Sequence, residues 1–167
     1  GQLVRDNVFG TIEEDAERRD FTFNAMYYDV ATFSVTDFAN GISAIKRREV
    51  DLIGDPEVRY REDPVRMLRA VRFAAKLDMT INPRTAEPIR ELAHLLSNIP
   101  PARLFEEVLK LFLSGQGLKT FRMLREFNLL EPLFPMLGRV FAAADSKEIA
   151  LIERVLVNTD ERINTGQ

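Results

Sequence analysis

The stretch REDPVRMLRAVRFAAKLDM, residues 61–79, decides the fold of this chain. At about 100° per residue, its apolar side chains gather on one side of a single helix, and its basic side chains fill a neighbouring arc of about 120°. The apolar set is Met67, Leu68, Val71, Ala74 and Ala75. The basic set is Arg66, Arg69, Arg72 and Lys76. The pattern predicts a helix to about Leu77 with one core face and one basic face.

Two interpretations fit the polar residues of this helix. Asp63 before Pro64 is typical of an N-cap followed by proline in the first turn, and arginines on a surface helix usually extend over the edge of the core. Alternatively, guanidinium groups aligned along one helix offer paired donors to phosphate oxygens. The stretch by itself leaves both interpretations open.

The predicted elements divide the chain at about residue 60. Residues 1–60 carry short β-type segments, above all AMYYDVATFSVTDFA at 25–39, with a turn near Ala31-Thr32. Residues 61–167 carry the signals of helices. Helix starts are predicted at Asn82-Pro83, Pro100-Pro101, Gly117 and Asp145, and the matching ends near Leu96, Ser114-Gly115, Asn128 and Asn158. We therefore predict a mainly α-helical fold, a small bundle preceded by a little antiparallel β structure.

Composition excludes several classes of function. The 167 residues are 46% hydrophobic and 29% charged, and no apolar run reaches the roughly 20 residues that a membrane-spanning helix needs. There is no cysteine, so neither a disulfide nor a thiolate metal site can form, and a reducing cytoplasm is the expected location. The formal charge is -3, so any affinity for nucleic acid must come from local basic patches.

A second polar stretch, Arg18-Arg19-Asp20, directly precedes an apolar, strand-like segment. Two guanidinium groups suit a polyphosphate, and a carboxylate beside them can accept hydrogen bonds from ribose hydroxyls or help to hold a metal ion. The alternative is a surface ion-pair cluster in which Asp20 or Thr22 caps a turn, an arrangement that contributes little energetically. The residues alone favour neither.

Five segments, taken in order, carry a resemblance to a known family. They are RRDFTFNA at 18–25, DFANG at 37–41, LIGDPEVRYREDP at 52–64, REDPVRMLRAVRFAAKL at 61–77 and IPPARLFEEVLKLF at 99–112. Together they resemble the nucleotidyltransferases that include bacterial poly(A) polymerases and tRNA nucleotidyltransferases, with the poly(A) polymerase branch closer. The resemblance implies template-independent transfer of AMP from ATP to an RNA 3′ end. CCA addition to tRNA is the first alternative, and a non-catalytic helical module that binds RNA or a partner protein is the second.

The resemblance also implies a nucleotide site built from two clusters. The Arg18-Arg19-Asp20 cluster would contact the ribose and triphosphate of the incoming nucleotide, with Asp20 selecting a ribonucleotide through its hydroxyls. The family's Glu-Asp-x-x-Arg motif falls on Glu62, Asp63 and Arg66, where Asp63 and Arg66 would present an acceptor and a donor to the base edge. Weaker contacts to RNA phosphates are implied for Arg69, Arg72 and Lys76.

The chain departs from the family at the catalytic residues. The family's catalytic region has a Gly-Gly turn and an Asp-x-Asp pair whose carboxylates hold two Mg²⁺ ions, and this sequence contains neither the turn nor the pair. We therefore expect an internal fragment, with residues 1–60 from the nucleotidyltransferase head and 61–167 from the helical neck and the start of the body. It is expected to hold no catalytic or metal-binding residue and to be inactive alone. Residues 21–28 are expected to lack cover and to be distorted, mobile or paired with another chain, and the oligomeric state stays open.

Three local features are interpreted as structural. Arg103 and Glu107, four residues apart in one predicted helix, are expected to form an ion pair. Asp37 and Gly41 are expected to shape a loop. The run Lys46-Arg47-Arg48 is expected to be a solvated turn, with contact to an RNA backbone as the alternative.

Overall fold

The computed structural model describes residues 11, 19–142 and 146–167. Its strands are β1 (Met26–Asp29), β2 (Ser34–Asp37), β3 (Glu49–Val50) and β4 (Thr80–Ile81). Its α-helices are α1 (Gly41–Lys46), α2 (Pro56–Glu62), α3 (Val65–Leu77), α4 (Pro83–Leu92), α5 (Pro101–Phe112), α6 (Gly117–Glu126), α7 (Leu130–Leu133), α8 (Gly138–Ala142) and α9 (Lys147–Thr165). Turns of 3-10 helix cover Thr22–Asn24, Ala93–Asn98 and Pro135–Leu137. The fold is mainly α-helical, as predicted.

Helix α3 lies at the centre of the fold and has the predicted extent to within one residue. It packs against α2, α5 and α6. The side chains of its predicted core face are all buried, namely Met67, Leu68, Val71, Ala74 and Ala75. Full burial of one leucine or methionine side chain contributes about 1.5–3 kcal/mol, so this face is a main source of stability. The helix ends at Leu77, and the next residue, Asp78, adopts a left-handed backbone with φ 51°.

Helices α4, α5 and α6 begin at the predicted signals, whereas the predicted start of α9 at Asp145 lies outside the described residues and Ser146 caps that helix. Asn82 Oδ1 accepts a hydrogen bond from the Arg84 N–H at 3.0 Å and caps α4. Helix α5 begins at Pro101, as predicted. Helix α9 extends to Thr165, beyond its predicted end near Asn158. In this added part, Asp160 accepts a hydrogen bond from the Gly117 N–H at 2.7 Å and connects α9 to the start of α6.

The predicted hairpin forms from β1 and β2. The two strands pair in antiparallel register from Met26 opposite Asp37 to Asp29 opposite Ser34. Asp29 Oδ1 also accepts a hydrogen bond from the Ala31 N–H at 2.8 Å, which fixes the turn where the sequence predicted it.

Besides the predicted β segments, the region before residue 60 contains α1 and the start of α2, which the sequence pattern did not predict. Helix α2 starts with Asp55 accepting hydrogen bonds from the N–H groups of Glu57 and Val58, and Pro56 occupies its first turn. This Asp-Pro pair is the same start signal as the pair that was recognised at Asn82-Pro83, so the sequence contained the information.

The predicted loop at Asp37 and Gly41 is confirmed and starts α1. Asp37 accepts hydrogen bonds from the N–H groups of Gly41 at 2.8 Å and Ile42 at 2.9 Å. A side chain at Gly41 would overlap the carbonyl oxygen of Thr22, so the close approach of these two segments requires glycine.

Strands β3 and β4 form a short parallel pair that brings distant segments together. Glu49 lies opposite Thr80 and Val50 opposite Ile81.

The expectation of an uncovered segment 21–28 was wrong for Phe21, which is fully buried and packs against Phe23 and Phe73. Tyr28, in the hairpin, is 58% exposed. Within the described ranges, every helix is too short or too polar to cross a bilayer.

Candidate nucleotide site

Asp20 joins the N-terminal segment to helix α3. Its Oδ1 accepts a hydrogen bond from Arg66 Nε at 3.0 Å, and its Oδ2 lies 3.0 Å from Arg69 Nε. Arg59 Nη2 approaches the same carboxylate at 3.8 Å. The Asp20 side chain is only 11% exposed, so these ion pairs are screened less than a surface pair. Asp20 is thus the common partner of three arginines.

The backbone around Asp20 fixes the position of this carboxylate. The Ile53 N–H donates to the Asp20 carbonyl at 2.9 Å, and the Thr22 N–H donates to the Asp51 carbonyl at 3.0 Å. These bonds form an antiparallel bridge between residues 20–22 and 51–53. The segment after Arg19 therefore lies directly beside the chain that leads into α2.

Arg59 and Arg66 connect α2 to α3 at the same place. Arg66 Nη1 donates to the Arg59 carbonyl at 2.8 Å and to Glu62 Oε2 at 3.3 Å. Arg59 Nη2 in turn donates to the Arg19 carbonyl at 3.0 Å. Arg66 is therefore held in one orientation by contacts to its Nε and Nη1 atoms.

The two oxygens of Asp63 have different partners. Oδ1 accepts a hydrogen bond from the Val65 N–H at 3.3 Å at the start of α3, and Oδ2 accepts one from Arg103 Nη2 at 2.7 Å. The Asp63 hydrogen bond raises the pKa of Arg103 above its usual range. Asp63 therefore contributes to the start of α3 and also binds α5.

The predicted ion pair between Arg103 and Glu107 was wrong. Arg103 extends to Asp63 instead, while the buried Glu107 faces Arg72 at 3.8 Å and Lys110 at 3.6 Å. The Arg103 interaction crosses from α5 to α3, so helical spacing within α5 could not reveal it.

The basic face of α3 is divided between the core of the site and the surface. Arg69 forms an ion pair with Asp20. Arg72 lies between Glu107 and the ring of Phe73, and its guanidinium carbon is 4.9 Å from the ring centre. Lys76 is exposed at the far end of the helix. The two arginines are thus partly neutralised by carboxylates of the chain itself.

The predicted site residues do not all meet at one point. Arg18 lies outside the described residues. Arg19 is close, because its carbonyl binds Arg59 and its guanidinium carbon lies 5.4 Å from the Tyr27 ring centre. Sequence reasoning missed two contributors, Arg59 and Arg103. Each lies inside one of the family-like segments, but nothing in the spacing of those segments indicates their partners.

The described residues do not fit a magnesium site. No group of three or more His, Cys, Asp or Glu side chains comes together in the described part of the chain. The carboxylate of Asp20 is surrounded by Arg66, Arg69 and Arg59, and this positive environment disfavours a divalent cation.

Two family models match the chain. The model described as the poly A polymerase head domain covers residues 2–51, and the one described as the probable RNA and SrmB-binding site of polymerase A covers residues 78–140. Poly(A) polymerase I of Salmonella typhi is 59% identical over 98% of this chain, and that of Haemophilus influenzae is 54% identical over 98%. The CCA-adding enzyme of Streptococcus uberis is 40% identical over 74% of this chain and 31% of its own length.

Solved structures share the fold. The Bacillus stearothermophilus CCA-adding enzyme in complex with CTP superposes with a TM-score of 0.67 at 37% identity, over 72% of this chain and 30% of that one. A tRNA nucleotidyltransferase complexed with a primer tRNA and an incoming ATP analog gives 0.70 at 29% identity, over 78% and 39%. The chain therefore has the fold of these nucleotidyltransferases.

Within that class, the chain belongs to the bacterial poly(A) polymerase family. It spans about 35% of the length of the Salmonella relative and 36% of the Haemophilus relative.

Proposed function

We propose that this chain forms the nucleotide-selecting part of an enzyme that adds AMP from ATP to RNA 3′ ends without a template. The hydrogen bond between Arg66 and Asp20, 3.0 Å long, carries this proposal. It joins Asp20 to Arg66, two residues 46 positions apart to which the family resemblance gives contacts with the sugar and with the base. The contact between these two residues supports a single site.

The roles follow from the donors and acceptors. Arg66 and Asp63 present a donor and an acceptor to the edge of the adenine base, Asp20 accepts from the ribose hydroxyls, and Arg18 and Arg19 bind the triphosphate. Each carboxylate oxygen has two lone pairs, so Asp20 can accept from an arginine and from a hydroxyl together. Arg66 then acts twice, since it recognises the base and also orients Asp20.

The higher identity to poly(A) polymerases, 59% against 40% for the CCA-adding enzyme of Streptococcus uberis, supports AMP addition over CCA addition. The test is an extension assay with a labelled RNA and a longer protein that contains this chain. We expect long tails with ATP and no extension with CTP alone. Addition of C, C and A followed by a stop would assign the protein to CCA addition. RNA binding without extension or ATP binding would favour the non-catalytic module.

The remaining assignments are part of the same proposal. The head would extend to about residue 60 and the helical neck and body from 61, and the family-model limits at residues 51 and 78 are consistent with a boundary between them. RNA phosphates would lie along the exposed side of Arg69, Arg72 and Lys76. Mg²⁺ would be held by residues other than the described ones. The cytoplasmic location rests on the lack of cysteine.

A further inference from the structure

Arg103, in the first turn of α5, holds the side chain of Asp63. Its Nη2 donates to Asp63 Oδ2 at 2.7 Å, the length of a strong hydrogen bond between two charged groups. The Val65 N–H donates to the other oxygen, Oδ1, at 3.3 Å, which is beyond the usual range of about 2.7–3.2 Å for a nitrogen donor. Of these two contacts to the Asp63 carboxylate, the one from Arg103 is therefore the stronger.

The main chain fixes the position of Asp63 but not the orientation of its carboxylate. Asp63 lies at the junction of α2 and α3, where its backbone is extended with φ -146° and ψ 96°. Its N–H donates to the Arg59 carbonyl at 3.1 Å, and its carbonyl accepts from the Arg66 N–H at 3.1 Å. Because these bonds leave the side chain free to rotate, its orientation depends on the contacts of its two oxygens. Arg103 makes the stronger of those contacts.

Helix α5 packs on α3 and is connected to it at a second point. The buried Glu107, one turn after Arg103, lies 3.8 Å from Arg72 of α3. A shift of α5 by one turn would move Glu107 to the place where Arg103 now faces Asp63, and two carboxylates would then repel each other. The two contacts together therefore favour the observed register, in which Arg103 lies beside Asp63.

The donor and the acceptor of the proposed base site are thus held by different parts of the chain. Arg66 is held by Asp20 and by the Arg59 carbonyl, at 3.0 and 2.8 Å. Arg103 provides the corresponding restraint on Asp63 from α5. Groups that are held in place before binding lose less freedom on binding, so both restraints favour one shape of base edge over others.

We propose that Arg103 is a positioning residue for nucleotide selection, which holds Asp63 Oδ2 so that Oδ1 accepts a hydrogen bond from the base. Each carboxylate oxygen has two lone pairs, so Oδ1 keeps an acceptor for the amino group of adenine beside its bond to Val65. Arg103 acts through Asp63, without contact to the nucleotide. The inference rests on the proposed function, since that proposal assigns Asp63 to the base site.

A double-mutant cycle in the longer protein that contains this chain tests the proposal. Incorporation from ATP against CTP is measured for Asp63→Ala, Arg103→Ala and the double variant. We expect Arg103→Ala to lower the preference for ATP about tenfold, since a misplaced contact group costs up to about 100-fold. In the Asp63→Ala background, the same substitution should change the preference by less than about twofold, because Arg103 has lost the group through which it acts. Arg103→Lys keeps the charge without the planar guanidinium and should give an intermediate preference.

Arg122→Ala is the matched control for the loss of an ion pair between two helices. Arg122 of α6 and Glu153 of α9 approach to 3.0 Å, and the Glu153 side chain is 27% exposed, against 25% for Asp63. The Glu153 hydrogen bond also raises the pKa of Arg122, as the Asp63 hydrogen bond does for Arg103. The control should lower the urea midpoint about as much as Arg103→Ala and leave the preference for ATP unchanged.

Three results would overturn the positioning role: an unchanged preference in folded Arg103→Ala or Arg103→Lys protein, an equal change in Arg122→Ala, or additive effects of Asp63→Ala and Arg103→Ala. Additive effects would mean that Arg103 acts independently of Asp63. If Asp63→Ala lowers the preference and Arg103→Ala does not, only the positioning role fails. An unchanged preference in Asp63→Ala would contradict the base site of the proposed function, and the positioning role would fail with it.

Discussion

At the scale of single residues, Asp20 determines how the candidate site is organised. One carboxylate, mostly removed from water, is shared by Arg59, Arg66 and Arg69. The two clusters stabilise each other, because the mostly buried Asp20 needs cations and Arg66 and Arg69 both pair with its carboxylate. Stability and selectivity are therefore linked at this position.

Replacement of Asp20 by alanine in the longer protein should let dATP compete better against ATP. Alanine removes the acceptor proposed for the ribose hydroxyls, and loss of one hydrogen bond to a charged group corresponds to about 1.5–3 kcal/mol. Competition between labelled ATP and dATP in an extension assay measures the change. Asp20→Asn keeps the shape and an acceptor, so it separates loss of the fold from loss of selectivity. If the ATP to dATP ratio stays constant in folded Asp20→Ala protein, Asp20 does not contact the sugar.

Replacement of Arg66 by alanine should weaken the preference for ATP over the other ribonucleotides by about 1–3 kcal/mol, because the base edge loses a charged donor. Incorporation from mixtures of ATP with CTP or GTP measures this preference. Arg61→Ala is the matched control, because Arg61 is exposed and pairs with Glu57 on α2. Arg66→Lys keeps a positive charge beside Asp20 but lacks the planar guanidinium group with its fixed set of hydrogen-bond donors. Equal preference in wild type and Arg66→Ala would remove Arg66 from the base site.

At the scale of elements, side chains from other parts of the chain satisfy the N–H groups at two helix starts. Asp37, at the end of β2, accepts hydrogen bonds from the first residues of α1. Asp160, in α9, accepts them from Gly117 and Leu118 at the start of α6, at 2.7 and 3.1 Å. Helix starts leave N–H groups without helical partners, so each aspartate fixes one element to another.

Asp160→Ala should lower the free energy of unfolding by about 1–2 kcal/mol, the usual cost of losing a helix N-cap. Urea denaturation followed by circular dichroism measures the loss. Glu161→Ala, at the next position and exposed, is the control and should leave the midpoint nearly unchanged. Similar midpoints for the two variants would mean that water replaces Asp160 at the start of α6.

Asp37 should make the stability depend on pH. Partial burial by itself raises the pKa of Asp37, but hydrogen bonds from the N–H groups of Ile42, Gly41 and Ala39 outweigh it, so the pKa lies below its ordinary 3.8. A carboxyl group with a lowered folded-state pKa stabilises the fold above the unfolded-state pKa and loses that contribution as the pH falls through the folded-state value.

The advantage of wild type over Asp37→Asn should therefore be complete at about pH 6 and smaller at about pH 3. Urea midpoints of both proteins at the two pH values measure it, and comparison with the variant cancels the titration of the other carboxyl groups. A constant difference between the two proteins would show that Asp37 is not differently protonated in the folded and unfolded states.

At the scale of the whole molecule, local signals predicted most of the fold. The helical spacing of apolar residues predicted α3 and its core face. The Asn-Pro and Pro-Pro pairs predicted the starts of α4 and α5. The β3–β4 pair was not predictable in this way, because Val50 and Ile81 are far apart in sequence. The candidate site was likewise predictable only in part. The residues of the two clusters were found by motif, whereas the contact of Asp20 with Arg66 and that of Asp63 with Arg103 depend on tertiary packing.

The whole chain should bind ATP weakly and add no AMP to RNA by itself. Arg19 and Arg66 are proposed to bind the nucleotide, but assisted phosphoryl transfer needs carboxylates that place two metal ions. This sequence has no two aspartates separated by one residue. Asp20 does not replace them, because its oxygens face Arg66 and Arg69. A radiolabelled extension assay compares the purified 167-residue chain with a longer relative under the same conditions. AMP incorporation by the homogeneous chain would mean that carboxylates assigned here to ion pairs and helix starts take part in catalysis.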